Sequence, residues 1–347
     1  MILKSRPERG IAILIQIFEG YKFRPEIVTF SELYRRPKTP FEVAVPRSAR
    51  DFRIKYSVPL LTNIRTTLEM IKWEHSIFAL PFALCAAMLA AGGMPTAAKL
   101  GWIVLCMISA RSAAMAFNRI ADARIDAANP RTAMRAIPAG TLSQKFAMVF
   151  VVVACLLFIV GAAELNHATL LLSPVALAVV LFYSYTKRFT RWSHLVLGFA
   201  LGIAPAAAWI AVRGSLDPRI LLLTAAVTFW VGGFDVLYAC QDIEFDRANS
   251  LNSVPQALGV PKALIVARIL HVLMLGLLIA LVVVFGLGKL AIVGVVVVAA
   301  LLAYEHSLVA SDDLSKLNAA FFTMNGVIAV VFFVFVAADL LLRAARP

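Results

Sequence analysis

Phe146-Ala-Met-Val-Phe-Val-Val-Val-Ala-Cys-Leu-Leu-Phe-Ile-Val-Gly-Ala-Ala-Glu164 carries no charge before its last residue. As a helix rising about 1.5 Å per residue, it crosses the roughly 30 Å hydrocarbon core of a bilayer. It lacks the alternating polarity of a barrel strand, so a helix is the form that satisfies its backbone in lipid. Comparable runs lie at 77–94, 102–117, 170–185, 195–212, 220–240, 263–285, 290–304 and 319–342. The expected fold is an all-α polytopic membrane protein with nine transmembrane helices. Composition agrees: 61% of the 347 residues are apolar and 15% charged, with mean hydropathy +0.85. A soluble domain carries about 45–50% and about 25%. Collagen-like, disulfide-stapled and disordered chains are excluded on the same grounds. The four cysteines are scattered without a CxxC pair, and the five histidines are dispersed, which argues against thiolate or imidazole metal sites.

The net charge of +13 is concentrated at one end. Of 33 Lys and Arg residues, 14 lie between Lys4 and Lys72, in a segment rich in proline. The expected division is a basic, flexible, cytoplasmic tail over 1–67 and a membrane domain over 68–347. An apolar patch at 11–18 suits either a solvated tail or a short helix on the membrane surface. It is too short for a signal peptide and no cleavage site follows it. No aromatic-interleaved motif supports nucleic-acid binding. Counting basic residues over the loops and tail gives twenty-six on the N-terminal side of the membrane against six on the other. The positive-inside rule then puts the N-terminus in the cytoplasm and the C-terminus on the opposite side.

Two loops on that basic side carry the chemistry. At 100° per residue, Asn118 and Asp122 fall within about 20° of Arg111, and Asp126 about 60° away, so the four share one helix face that Pro130 then terminates. In the second loop Asp235, Tyr238, Asp242 and Asp246 recur at i, i+3, i+7 and i+11. Carboxylates four apart repel each other on a helix, which a bound cation relieves. Hard oxygen donors without His or Cys select Mg²⁺ or Ca²⁺, and Mg²⁺ prefers a few carboxylates together with substrate phosphates. Arg119, Arg131, Lys187, Arg188 and Arg247 stand at the same level and complement a polyphosphate. Arg111 lies inside a span, where charge is expensive and usually functional.

Asn118-Arg-x-x-Asp122-x-x-x-Asp126, followed by Asn129-Pro-Arg-Thr132, and Asp235-x-x-Tyr238-Ala-x-Gln-Asp242-x-x-x-Asp246 resemble the two acidic motifs of the UbiA superfamily of intramembrane aromatic prenyltransferases. Tyr183-Ser-Tyr-Thr-Lys187 resembles that family's YxxxK element. The resemblance covers roughly 71–342 and omits the basic tail. It implies a bundle with cytoplasmic acidic helix ends over a central cavity. By it, Asn118, Asp122, Asp242 and Asp246 are Mg²⁺–diphosphate ligands, with Asp126 a further one. Lys187 is implied to contact the diphosphate with Tyr183 nearby, Arg188 matches a position for the carboxylate of an aromatic acid, and Arg111 suits either substrate. Arg119, Asp235 and Tyr238 complete the expected substrate site.

The implied activity is Mg²⁺-dependent transfer of a polyprenyl group from polyprenyl diphosphate to an aromatic acid. The stretch 71–82, with Glu74 and His75, resembles the first helix of enzymes acting on 4-hydroxybenzoate in ubiquinone biosynthesis. It also resembles relatives acting on 1,4-dihydroxy-6-naphthoate in menaquinone biosynthesis. The implied location is a bacterial inner membrane, with no obligate protein partner evident. Gly198, Gly202 and Pro205 either keep neighbouring helices open for the prenyl tail or let them pack closely. The competing class, a polytopic transporter or channel, calls for acidic residues at the bilayer midplane and internal repeats, neither of which is evident. A phosphatidyl-group transferase calls for a single-helix aspartate array with interspersed glycines, also absent.

Overall fold

The computed structural model describes residues 59–71, 79–310, 314, 317 and 324–344. Every described element is helical. In order they are α1 (Pro59–Ile71), α2 (Leu80–Ala91), α3 (Ala97–Ala121), α4 (Ala123–Ala128), α5 (Gln144–Leu165), α6 (His167–Thr186) and α7 (Ser193–Arg213). Then follow α8 (Leu221–Ala239), α9 (Ile243–Ala248), α10 (Val254–Leu258), α11 (Val260–Val284), α12 (Lys289–Ser307) and α13 (Asn325–Ala344). Short polar caps set the starts: Thr96, Ser143 and Asn166 accept from the amides of Lys99, Phe146 and Thr169. Gly92 and Gly214 end α2 and α7 in the left-handed conformation that lacks a Cβ penalty there.

Eight of the described helices are long and apolar enough to cross a membrane, and this is a multi-pass membrane protein. The first of the nine expected spans, 77–94, appears as the 12-residue apolar helix α2, with 72–78 outside the described residues. The expected span 319–342 is described from residue 324 onward, within which α13 begins at Asn325. The tail boundary at 67/68 falls inside α1, whose Thr67 and Ile71 are buried. The apolar patch at 11–18 and the pair Glu74 and His75 lie outside the described residues.

Two packing regimes share α7. On one side α2, α7, α8, α11, α12 and α13 surround a filled core, in which the ring of Phe82 lies 5.0 Å from Trp230 and 5.6 Å from Phe332. On the other, α3, α5, α6 and α7, with the C-terminal half of α8, enclose a cavity of about 900 Å³. Gly198 and Gly202 pack α7 against α8: a Cβ on either would collide with Thr228. Close packing, not opening, is therefore what these glycines supply. Outward-facing Val149, Val152, Leu156 and Val160 on α5, and Ile265, Ile269 and Val272 on α11, are exposed in the isolated chain, as lipid-facing residues must be.

Candidate active site

Both acidic stripes are carried past the end of a long helix through a break at an aspartate. Asp122 (φ −96°, ψ 3°) closes α3 and opens α4, while the backbone bonds from Asp122 to Asn118 (2.9 Å) and from Asp126 to Asp122 (2.8 Å) continue across it. At the second stripe, a 3₁₀ turn over Cys240–Asp242 joins α8 to α9. Each stripe was expected on one continuous helix. The tighter turn and the short polar side chain, which suits helix ends, account for the difference.

The two ends meet. Asn129 Nδ2 donates to Asp242 Oδ1 at 3.1 Å, and Arg131 forks onto the same carboxylate through Nε (2.9 Å) and Nη2. Arg131 also donates to the Tyr238 hydroxyl at 3.3 Å. Burial alone would lower the Arg131 pKa, but the hydrogen bond and charge of Asp242 hold it above its ordinary value. Asp122 is buried between Lys187 Nζ (2.7 Å) and Arg188 Nη2 (3.0 Å) and accepts a third bond from Asn118 (3.0 Å). Asp126, also buried, takes Arg135 on both oxygens at 2.8 and 2.9 Å, with Arg119 3.9 Å away. The carboxylates are thus not solvated loop charges. Asp122, Asp126 and Asp242 are each tied to a lysine or arginine, so removing one member strands a charge that burial makes costly.

The cavity begins at this polar end. Asn118, Arg119, Asp122, Asp126, Arg131, Lys187, Asp235, Tyr238, Asp242 and Asp246 line it, and Arg111 and Tyr183 line it further in. Tyr183 lies within electrostatic reach of Arg111, Arg119, Asp122 and Asp235. Beyond them the wall is apolar: Ile103 and Met107 of α3, Val180 of α6 and a run of alanines on α7. The buried Nε of Arg111 has no hydrogen-bond partner among the described residues.

Residues 79–327 match the model of the UbiA prenyltransferase family. The chain belongs to that family. It is 33% identical over 204 residues to the 4-hydroxybenzoate octaprenyltransferase of Albidiferax ferrireducens, covering 58% of this chain and 69% of the relative. To the enzyme of the same name from Vibrio cholerae it is 30% identical over 242 residues, covering 70% and 85%. A UbiA homologue from Aeropyrum pernix K1, solved without ligands, superposes with a TM-score of 0.71 at 34% identity, covering 77% of this chain and 98% of that one. A homologue from Archaeoglobus fulgidus bound to GPP and Mg²⁺ shares the fold, with a TM-score of 0.61 at 19% identity over 79% and 99% of the two chains.

The donor set fits a hard divalent cation, since the cavity's polar end offers five aspartates and the Asn118 amide and no thiolate. Among the described residues no three His, Cys, Asp or Glu groups form a metal cluster; Asp122, Asp126 and Asp242 are engaged instead by Lys187, Arg188, Arg135 and Arg131. One expected placement differs. Arg188 does not line the cavity: it is turned onto the carbonyls of Ser184 (2.7 Å) and Ala121 (2.8 Å) and sits behind Asp122. A helix end leaves carbonyls unpaired, and a guanidinium one turn away satisfies them. Arg247 is exposed on α9 and does not line the cavity either. Sequence reasoning passed over Arg135, whose partner lies nine positions back across a turn, and over His194, paired with Asp235 across α7 and α8 at 2.7 Å. Neither pairing has a spacing that a sequence displays.

Proposed function

We propose that this protein transfers a polyprenyl group from polyprenyl diphosphate to 4-hydroxybenzoate, in the ubiquinone pathway, on the cytoplasmic side of a bacterial inner membrane. The observation that carries this reading is a single cavity with acidic and basic side chains crowded at one end and an apolar wall along the rest. The names of the curated relatives support the acceptor, and the basic tail and loops support a cytoplasmic N-terminus with the C-terminus opposite.

In this reading Asn118, Asp122, Asp126, Asp242 and Asp246 hold Mg²⁺, which neutralises the diphosphate as it leaves. Lys187, Arg119 and Arg131 exchange their carboxylate partners for diphosphate oxygens and stabilise the same developing charge. The allylic C–O bond breaks with its electron pair going to the diphosphate. The apolar wall keeps water from the allylic cation. The ring carbon ortho to the acceptor hydroxyl then forms the new C–C bond and releases its proton. Arg111, facing the cavity with an unpartnered Nε, takes the acceptor carboxylate in place of Arg188. Tyr183 lies between the two substrates, and Asp235 and Tyr238 line the acceptor side.

The test is a membrane preparation supplied with Mg²⁺, a polyprenyl diphosphate and labelled 4-hydroxybenzoate. Formation of the prenylated acid with release of diphosphate is the expected result. Product only with a dihydroxynaphthoate would move the acceptor assignment, and no product with either would overturn it.

A further inference from the structure

Three consecutive residues after α9 each tie a different part of the site together. The Asn252 amide donates to the Lys187 carbonyl at 2.8 Å, the Ser253 hydroxyl donates to Asp246 Oδ2 at 2.8 Å, and the Val254 amide donates to His194 Nε2 at 3.3 Å. His194 is buried at the start of α7, and its Nδ1 lies 2.7 Å from Asp235 Oδ2. These bonds fix the ring's protonation. An imidazole nitrogen that accepts from a backbone N–H carries no proton, so in the neutral ring the proton is on Nδ1 and points at Asp235. His194 and Asp235 both line the cavity.

Resting on the prenyl-transfer reading above, we propose that His194 is a positioning residue: the Val254 amide sets its tautomer, and its Nδ1–H holds the Asp235 carboxylate in the acceptor wall of the cavity. His194 takes Oδ2, which leaves Oδ1 as the oxygen Asp235 can present to a ligand. Without the Nδ1–H donor, the carboxylate turns away or draws in a cation, and the acceptor loses an oriented partner. The diphosphate end, held from α3, α6 and α9, is untouched. The effect is therefore confined to one substrate, which a general loss of packing would not produce.

The backbone offers a clean way to remove the tautomer-setting bond. Val254 is the first residue of α10, a position whose N–H has no helical partner and where proline is accepted, and Ser253 before it is already extended (φ −143°, ψ 159°). Val254→Pro therefore deletes the donor to His194, at the cost of reshaping one fully buried apolar side chain. His194→Leu deletes both ring bonds, whereas His194→Asn keeps an N–H donor near the place of Nδ1.

The experiment measures both KM values and kcat for the three variants in detergent-solubilised protein. In parallel, ¹⁵N-histidine NMR is recorded on ligand-free protein, where the signal lost in His194→Asn is that of His194. His194→Leu is expected to raise the aromatic acid's KM or lower kcat by about tenfold or more, with the prenyl diphosphate KM unchanged. Val254→Pro is expected to move the same constant by less, and His194→Asn to recover most of the loss. The spectrum is expected to show the neutral Nδ1–H tautomer. An Nε2–H or charged ring overturns the proposal, as do wild-type constants in His194→Leu or an equal rise in both KM values. If His194→Leu fails to fold, Val254→Pro and the spectrum decide. If the wild-type protein forms no prenylated acid, the functional reading fails, whereas the tautomer is settled independently.

Discussion

Around Phe82 the bundle is filled: its ring meets Trp230 and Phe332, and Met274, Leu278 and Leu281 close the space behind them, all fully buried. Across α7 the same apolar alphabet encloses a cavity, because the facing positions are small: Ala200, Ala204, Ala207 and Ala208 on α7, with Ala110 and Ala114 on α3. Large side chains on one side of a shared helix and small ones on the other give a protein with a stable half and a hollow half. The hollow half opens at its polar end onto five aspartates, three of them held by lysine or arginine. Stability should therefore reside around Phe82, and activity across α7 from it.

The largest expected effect separates the halves outright. Chelating divalent metal with EDTA is expected to abolish prenyl transfer, restored by adding Mg²⁺, while the unfolding midpoint of the ligand-free protein stays where it was. Turnover in metal-free buffer would remove the proposed role of the carboxylates. The converse variant is Phe332→Ala, which empties the filled half. Truncating a buried phenylalanine costs about 3–5 kcal/mol, so a clear fall in the denaturation midpoint in detergent is expected. The KM values of the surviving folded fraction should remain unchanged. A Phe332→Ala protein that unfolds normally would mean that the core is not where stability lies.

Next comes a charge change without a shape change. Asp242→Asn keeps an oxygen for Arg131 and Asn129 but removes the negative charge that they face. On the proposed reading kcat falls by about 10²–10³-fold, the scale of losing one electrostatic group in a water-poor site. Alanine is the poorer choice here, because it strands Arg131 as well as removing a ligand. Near wild-type kcat in Asp242→Asn would demote this carboxylate to a structural partner of Arg131.

How much of this was legible in the sequence depends on range. The long apolar runs identified the spans, since the period and length of a helix are local properties, and the i, i+4 aspartates marked the acidic ends for the same reason. The hollow half was expected only through the family resemblance, not from the residues themselves: the runs at 102–117 and 195–212 read as apolar whether they face a core or a cavity. The break at Asp122 was hidden too, because its hydrogen bonds continue in α-helical register across it. Partners were hidden wherever they lie far along the chain, as with Lys187 on Asp122 or Asn129 on Asp242. Arg188 shows the limit most clearly. Adjacent to Lys187 in sequence, it was expected beside it in the cavity, but a helix end turns successive residues to different sides, and Arg188 caps carbonyls behind Asp122.

That difference between neighbours yields the smallest effect, and the most specific. A carboxylate on the acceptor stays ionised near neutral pH and needs a cation inside a low-dielectric cavity. Lys187, held by Asp122, is proposed to serve the diphosphate. Arg188 is committed to two carbonyls and the far oxygen of Asp122, outside the cavity lining. Arg111 lines the cavity two turns deeper than Asn118, and its buried Nε lacks a partner among the described residues. An orphaned buried donor is a cost, and in a residue that lines the cavity a small turn of the guanidinium toward a bound carboxylate removes it. Arg111→Ala is therefore expected to raise the KM of the aromatic acid by about ten- to a hundredfold, the equivalent of roughly 1.5–3 kcal/mol for a charged hydrogen bond, with little change for the prenyl diphosphate. Arg188→Ala is expected to show the opposite pattern: it loosens Asp122, so it weakens the diphosphate end and leaves the acid KM nearly alone. Measuring both constants for both variants tests the pair together. A rise in the acid KM confined to Arg188→Ala would mean that this arginine swings into the cavity when substrate binds, and it would return the carboxylate to the helix end where the sequence first put it.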